Sequence, residues 1–319
     1  MKNTDKLLWS AAIAAGTAAA AAAVSHTITK DLFRIAVARD CPHNFDAKAR
    51  NRFAGSGRNQ RFMQVLADGA LRLRSIPHET AQITARDGQK LVGHWFPCPD
   101  AKRTILAMHG WRSSWASDFG MVHDFFVENK CNILYAEQRG QGSSGGSHMG
   151  LGLLERYDCL EWVRWLEGDT PVYLAGVSMG ATTVLMAAGF DLPPQVHGII
   201  ADCGFTSAYD ISHHVLKHNL HLPFRSRAKA ASTMFRKNLQ FEINEYSTLD
   251  ALAEATVPVL FIHGSDDSFV PVSMTYENYI ACRSPKELLI VPGAEHGMSY
   301  YLDRGRYQAA MRRFWLEHD

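Results

Sequence analysis

The stretch PVYLAGVSMGATTVLMAAG, residues 171–189, carries an apolar run into two glycines with a single serine between them. The run PVYLAG predicts a buried strand, and the residues after the serine predict a helix that follows at once. Residues 176–180 fit the pattern G-x-S-x-G, in which a strand turns sharply into a helix and the serine takes a strained backbone conformation. Gly176 and Gly180 would avoid clashes with neighbouring backbone. Ser178 is therefore predicted to be a nucleophile, with a buried helix N-cap as the alternative.

The same pattern occurs a second time, at residues 142–146, with Ser144 at its centre. This copy lies in RGQGSSGGSHMG, which has the composition of a loop and does not lead into an apolar helix. Ser144 is therefore interpreted as part of a flexible turn.

Short apolar runs and longer helical patterns alternate along most of the chain. The runs are TILAMH (104–109), NILYAE (132–137), PVYLAG (171–176), HGIIAD (197–202), PVLFIH (258–263) and ELLIVP (287–292). Continuous apolar runs are typical of parallel strands that are covered on both faces. Before them, AQITARDGQKLVGHWFPC predicts a hairpin with its turn at Asp87-Gly88. The sequence thus predicts an α/β fold: a mostly parallel sheet, an N-terminal antiparallel hairpin and helices on both faces.

Three segments are expected along the chain. Residues 1–29 form an N-terminal hydrophobic segment, 30–81 a helical linker and 82–319 the α/β domain. Within that domain, 206–247 has helical patterns but no strand, and it is interpreted as a small helical cap inserted after HGIIAD.

Residues 7–24, LLWSAAIAAGTAAAAAAV, carry no charge. They fit a membrane anchor, a cleaved signal peptide or an alanine-rich soluble helix. Membrane association through this segment is the expected localisation, and a secreted or cytoplasmic protein is the alternative.

The charge balance bears on the kind of partner, and the cysteine spacing bears on the state of the thiols. The chain has 33 basic and 32 acidic side chains and a net charge of +1, which gives no reason to expect a nucleic acid partner. Its six cysteines are scattered without a C-x-x-C pair, which favours free thiols.

A serine hydroxyl needs a base, and the base needs a group that fixes its tautomer and stabilises its charge. Asp266 and Asp267 follow the run PVLFIH, and His296 follows the last run. The chain order Ser, Asp, His is the order that G-x-S-x-G hydrolases of this topology require. All of these residues come just after predicted strands, where ligand sites lie in such sheets.

With these residues in place, the chain resembles the α/β-hydrolase superfamily over roughly residues 82–318. The matching pieces are MHGW, EQRGQGSSGG, GVSMG, HGSDDSFVP and GAEHG. The resemblance is to serine hydrolases, related to serine aminopeptidases, that have a small cap and an N-terminal hydrophobic segment. It implies that the acid lies in H-G-x-x-D-x-x-V-P, a register that selects Asp267 over its neighbour Asp266, and that His296 is the base.

An oxyanion hole needs two backbone N–H donors. The residue after the nucleophile, Met179, would supply one, and the resemblance implies Trp111 for the other. Gly110 permits the turn before Trp111, and His109 is interpreted as a structural residue of that loop. One departure is Glu137, which opens EQRG where the family often has Asp-x-Arg-Gly.

A stripe of possible metal ligands lies within the predicted cap. On an unbroken helix, spacings of four, four and three would align Asp210, His214, His218 and His221. A polar face of the cap is the favoured interpretation, and no metal is expected.

The sequence therefore predicts a cofactor-free serine hydrolase that acts on a small-molecule or lipid-like acyl substrate, an ester or thioester. Amide cleavage and acyl transfer are alternatives on the same fold. A non-catalytic binding protein is a different class, and the complete set of Ser178, Asp267 and His296 argues against it.

Overall fold

The computed structural model describes residues 23–41, 60–166, 168 and 170–319. Most of the predicted N-terminal hydrophobic segment therefore lies outside the described residues. Within the part of the chain that is described, no helix has the length and apolar character needed to cross a bilayer.

Eight strands form one sheet in the order β1-β2-β4-β3-β5-β6-β7-β8. β2 pairs antiparallel with both β1 and β4, and all the other neighbours are parallel. The predicted fold class is confirmed. The strands are β1 (Glu79–Thr84), β2 (Lys90–Phe96), β3 (Arg103–Met108), β4 (Cys131–Glu137), β5 (Val172–Val177), β6 (Val196–Asp202), β7 (Val259–Gly264) and β8 (Lys286–Val291).

The helices lie between and around these strands. α1 is described over 23–37. The others are α2 (Gln60–Ser75), α3 (Trp115–Phe119), α4 (His123–Glu128), α5 (Glu155–Trp165), α6 (Met179–Ala187), α7 (Ala208–His214), a π-helix (Val215–Asn219), α8 (Arg225–Leu239), α9 (Thr248–Glu254), α10 (Val272–Ala281), α11 (Ser299–Leu302) and α12 (Arg304–His318).

The hairpin turns at Asp87-Gly88, as the sequence predicts. Gly88 has φ +82°, a left-handed conformation that glycine adopts without cost. The amide of Ala85 donates to the carbonyl of Gln89 at 2.8 Å and closes the turn. β2 then lies between β1 and β4, which joins the hairpin to the parallel part of the sheet.

The central strands are buried on both faces, which explains their continuous apolar runs. Every residue of β3 and of β7 is buried. In β3, Ile105 and Ala107 belong to one apolar cluster, while Leu106 and Met108 belong to another on the opposite face. Residues of α2, α3, α4, α11 and α12 complete the first cluster, and residues of α5, α6 and α9 complete the second.

A third apolar cluster joins α1 to the segment that follows β6. The interval 206–247, predicted as a cap, contains α7, the π-helix and α8; we call residues 208–239 the helical insertion. Phe33 and Val37 of α1 pack in this cluster with Ile211, Val215 and Phe235 of the helical insertion. The first helix of the described chain therefore packs beside the carboxyl edge of the sheet, where Met179 joins the same cluster.

Candidate active site

Ser178 stands between the end of β5 and the start of α6. Its backbone has φ 57° and ψ −119°, a region that side chains rarely occupy. A Cβ at Gly176 would lie 2.3 Å from the backbone of Gly180, and a Cβ at Gly180 would lie 1.8 Å from the carbonyl oxygen of Met108. The turn therefore closes only with glycine at both positions.

Three distant side chains meet at this turn. Nε2 of His296 lies 2.9 Å from Oγ of Ser178, and Nδ1 of the same ring lies 2.7 Å from Oδ2 of Asp267. An ionised carboxylate can only accept, so Nδ1–H donates to Asp267. Nε2 is then the unprotonated nitrogen and accepts from the hydroxyl of Ser178. All three residues are buried.

The carboxylate of Asp267 is surrounded by donors. Oδ1 accepts from the amides of Phe269 and Val270, at 3.0 and 2.9 Å. Oδ2 accepts from His296 and lies 3.1 Å from Nε2 of His263. Burial alone would raise the pKa of Asp267, but the charge of His296 and the hydrogen bonds from both histidines hold it well below its usual range. Asp267 is therefore an anion throughout the physiological pH range.

His263 is a member of this network that the sequence analysis did not single out. Its Nδ1 lies 2.6 Å from the hydroxyl of Thr275, and its Nε2 also lies 2.9 Å from the carbonyl oxygen of Val270. A carbonyl only accepts, so Nε2 carries the proton and also donates to Asp267. The signal was present in the sequence, since His263 directly precedes the glycine of HGSDD at the end of a buried strand.

Asp266, the other candidate acid, is exposed and forms its hydrogen bond outside the network of Ser178, His296 and Asp267. It accepts a 2.6 Å hydrogen bond from the hydroxyl of Ser265. The structure therefore places Asp267, and not Asp266, beside His296.

The loop after β3 approaches the nucleophile closely. The amide of Gly110 donates to Asp118 at 2.6 Å, and a Cβ at Gly110 would lie 3.3 Å from Cβ of Ser178. Trp111 lines the same cavities as Ser178. Met179 is the first residue of α6, so its N–H belongs to the helix N-terminus and has no intrahelical partner.

His109 is fixed in one tautomer within this loop. The amide of Gln138 donates to Nε2 at 3.1 Å, so Nδ1 carries the proton and donates to the carbonyl oxygen of Gly110 at 2.9 Å. Burial lowers the pKa of His109, which keeps the ring neutral. This geometry fits a structural residue.

Ser144 is buried, where the sequence suggested a flexible turn. Its hydroxyl accepts from the amide of Val92 at 2.9 Å and donates to the carbonyl oxygen of Glu137 at 2.6 Å. The side chain thus joins β2 to the end of β4. Loop composition did not reveal this because the two partners are backbone groups of other elements.

The departure at Glu137 is accommodated by the loop that follows it. The Glu137 carboxylate accepts from the amide of Ser143 and lies 2.9 Å from Nε2 of His94. Arg139 pairs with Asp158 at 2.6 Å and with Asp87 of the hairpin turn at 2.8 Å. The EQRG segment therefore holds the hairpin, α5 and the loop together.

Two cavities of different character meet at Ser178. The first has an empty volume of about 860 Å³ counted to its open mouth, and its described lining is apolar apart from Thr29, Ser178, Ser212 and Arg227. The second, on the side of α2, is larger, with an empty volume of about 1800 Å³ counted in the same way. Its lining is mostly apolar but includes polar side chains, among them Ser113, Ser117, Asp118, Asp202 and His296.

One group of potential metal ligands converges among the described residues: Cys203, Asp267 and His296. Both ring nitrogens of His296 and both oxygens of Asp267 already have hydrogen-bond partners. Burial raises the pKa of the Cys203 thiol well above its usual range, which opposes the thiolate that a metal requires. This arrangement fits a hydrogen-bonded network better than a metal centre.

The predicted histidine stripe does not form on a single regular helix. α7 ends at His214, and the π-helix over Val215–Asn219 changes the angular step between side chains. His214 and His218 stack on each other at 4.9 Å, while His221 lies beyond the π-helix with φ 53°. Asp210 is engaged by the hydroxyls of Thr206 and Ser207.

Comparisons with known proteins agree with this architecture. The model of the prolyl oligopeptidase family matches residues 125–318. The uncharacterized protein YqkD of Bacillus subtilis is 30% identical over 231 residues, which cover 71% of this chain and 75% of that protein.

Two solved structures share the fold at low identity. An esterase of Pyrococcus furiosus, Pf2001, has a TM-score of 0.64 at 22% identity and covers 77% of this chain and 93% of its own. A puromycin-hydrolyzing peptidase of Mycobacterium tuberculosis has a TM-score of 0.59 at 15% identity, over 76% of this chain and 39% of its own. The chain therefore belongs to the prolyl oligopeptidase family within the α/β-hydrolase superfamily.

Proposed function

We propose that this chain is a serine hydrolase that cleaves a carboxylic ester or thioester through an acyl-enzyme. Oγ of Ser178 attacks the carbonyl carbon while Nε2 of His296 takes its proton. The tetrahedral intermediate then expels the alcohol or thiol, which receives that proton from His296. Water repeats the sequence on the acyl-enzyme, releases the acid and restores the hydroxyl of Ser178.

The observation that carries this proposal is the continuous chain of hydrogen bonds from Ser178 through His296 to Asp267. Asp267 is ionised and saturated with donors, so it orients the ring and stabilises the imidazolium that forms during attack. The strained backbone of Ser178 supports the same role because it presents the hydroxyl at the start of α6.

Two backbone donors would stabilise the oxyanion. Met179 follows the nucleophile at the positive end of α6, and Trp111 follows Gly110 in the loop beside Ser178. These two N–H groups are the proposed oxyanion hole, and the reaction requires no cofactor.

Amide cleavage is the second candidate, and the match to the prolyl oligopeptidase family favours it. The described lining of the apolar cavity beside Ser178 contains no carboxylate to bind the α-ammonium group of an aminopeptidase substrate, whereas the second cavity includes Asp118 and Asp202. An apolar lining fits the hydrocarbon part of a lipid-like acyl group, which is why we favour the ester or thioester. Acyl transfer to an alcohol would use the same acyl-enzyme with a different acceptor.

A fluorophosphonate probe tests the nucleophile, since it labels only an activated serine. We expect labelling of the wild-type chain and of Ser144→Ala, and none of Ser178→Ala. Hydrolysis of p-nitrophenyl esters beside aminoacyl-nitroanilides then decides the bond. Faster cleavage of the anilides would replace the esterase proposal with the peptidase, and labelling that survives in Ser178→Ala would end both.

A further inference from the structure

α1 forms one wall of the apolar cavity that contains Ser178. Four of its residues line that cavity: Thr29, Leu32, Phe33 and Ala36. Their spacings of three, one and three place them on a single face of the helix. The hydrolase core alone therefore does not enclose this cavity.

The opposite wall belongs to the helical insertion. Its lining residues include Ile211, Val215 and Ala231. Phe33 meets Phe235 edge to face, with ring centroids 5.5 Å apart, where the two walls pack together. The space between the two walls is bounded mainly by hydrocarbon groups, and the hydroxyl of Ser178 is the reactive group that it contains.

Hydrogen bonds join the end of α1 to the loop after β3, which contains the proposed oxyanion donor Trp111. The guanidinium of Arg112 donates to the carbonyl oxygens of Ile35 and Ala38, at 2.9 and 2.6 Å. Nε1 of Trp111 donates to the carbonyl oxygen of Ala36 at 2.7 Å. These carbonyls end the helix and have no intrahelical partner, so the two side chains cap it.

The residues just after α1 are fastened to the loop that follows β4. The guanidinium of Arg39 donates to the carbonyl oxygens of Ser144 and Gly142, each at 2.5 Å. The amide of Met149 donates to the carbonyl oxygen of Val37 at 2.6 Å. Two neighbouring loops of the sheet thus hold the end of α1 in a fixed position over the site.

We propose that the cavity between α1 and the helical insertion binds the hydrocarbon chain of the acyl group, and that the inner face of α1 sets the chain length accepted. This inference rests on the proposed function and names the acyl side of its substrate. The carbonyl carbon lies at Ser178, and the second cavity on the side of α2, which has polar as well as apolar groups in its lining, receives the leaving group.

A panel of p-nitrophenyl butanoate, octanoate and dodecanoate tests the inference on the full chain. Each methylene that enters the cavity adds about fourfold to kcat/KM, the equivalent of about 0.8 kcal/mol. Wild type should therefore prefer octanoate strongly over butanoate.

Two substitutions on the inner face of α1 should move this preference in opposite directions. Ala36→Phe fills the cavity, so the octanoate-to-butanoate ratio of kcat/KM should fall about tenfold or more, the loss of about two buried methylenes. Leu32→Ala enlarges the cavity, so the dodecanoate-to-octanoate ratio should rise. A general weakening of the fold cannot produce opposite shifts.

Lys30→Phe is the matched control, because it adds the same ring on the exposed face of α1. Its ratios should equal those of wild type. If Ser178 is labelled and esters are cleaved, but Ala36→Phe and Leu32→Ala leave the ratios unchanged or shift them together, this inference is wrong and the proposed function stands. If the chain cleaves no ester and Ser178 is not labelled, both are wrong.

Discussion

The ring of His263 lies 3.1 Å from Oδ2 of Asp267, the oxygen that also accepts from His296. One carboxylate oxygen thus receives donors from two histidines of different elements, β7 and the loop after β8. Thr275 fixes the tautomer of His263 from α10. Under the proposed mechanism, His263 is a positioning residue that acts on Ser178 only through Asp267 and His296.

His263→Phe should lower kcat/KM by a factor of about ten to a hundred, because a hydrogen bond to a charged group contributes about 1.5–3 kcal/mol. The acid limb of the pH profile should move to higher pH, since a carboxylate that loses a donor holds protonated His296 more strongly. His263→Gln keeps an N–H donor and should restore most of the rate. If His263→Phe loses rate but the acid limb does not move, His263 contributes only to packing and is not a positioning residue.

Asp267→Asn should lower kcat about 10⁴-fold, as the loss of a triad carboxylate does in serine proteases. Asp266→Asn is its matched control, one residue away and exposed, and it should retain the wild-type rate. Ester hydrolysis by the two variants, with folding checked by circular dichroism, measures this. The reverse pattern would assign the acid to Asp266.

Ser144→Ala should destabilise the chain by about 1–3 kcal/mol, because it leaves the amide of Val92 and the carbonyl of Glu137 buried without their partner. Urea unfolding measures this free energy. Fluorophosphonate labelling of the folded variant should persist. An unchanged unfolding free energy would mean that water replaces the hydroxyl.

Ser178→Gly should be more stable than Ser178→Ala by about 1 kcal/mol, because only glycine adopts φ 57° and ψ −119° without strain. Both variants lack the hydroxyl, so the comparison isolates the cost of Cβ. Thermal unfolding should give Ser178→Gly a melting temperature a few degrees higher. Equal melting temperatures would show that the turn stores no strain.

Stability should also depend on pH through Asp202, at the end of β6. Burial raises the pKa of Asp202 to about 6. The nearby His263 and the hydrogen bonds from Tyr307 and Ser299 lower this pKa, but burial has the larger effect. The folded chain therefore binds this proton more tightly than the unfolded chain does. Its contribution to the free energy of unfolding is present below about pH 4 and falls by about 3 kcal/mol as pH rises through 6.

Asp202→Asn removes that dependence. The difference between wild type and Asp202→Asn should shift in favour of the variant between about pH 4 and about pH 7, as measured by urea unfolding. Asp267 does not interfere, because its pKa is lowered and it stays ionised across this window. A difference that is flat with pH would contradict the raised pKa of Asp202.

The sequence revealed the strands because burial on both faces makes their apolar runs continuous, as β3 and β7 illustrate. It also indicated Ser178 and His296, since each follows a strand end, while the choice of Asp267 over its neighbour Asp266 came from the family resemblance. The packing of α1 was hidden, because it depends on Arg112 reaching carbonyls more than seventy positions earlier. The burial of Ser144 was hidden for a similar reason, because the amide that binds it, that of Val92, lies 52 positions earlier in β2. The partnership of His263 with Asp267 could have been found in the sequence, since the two residues lie four positions apart at the end of a buried strand.

Because Arg112 and Trp111 cap α1, the smallest fragment that keeps the complete site must include α1 and the loop after β3. The match to the prolyl oligopeptidase family model begins at residue 125, so a fragment trimmed to that match would keep Ser178, Asp267 and His296. It would nevertheless lack β1, β2 and β3, the last of which lies between β4 and β5 in the sheet. It would also lack the loop after β3 and α1, which that loop caps. The activity of such a fragment would not represent that of the intact protein. Its preference for acyl-chain length could not be studied at all, because α1, which is proposed to set that preference, would be absent.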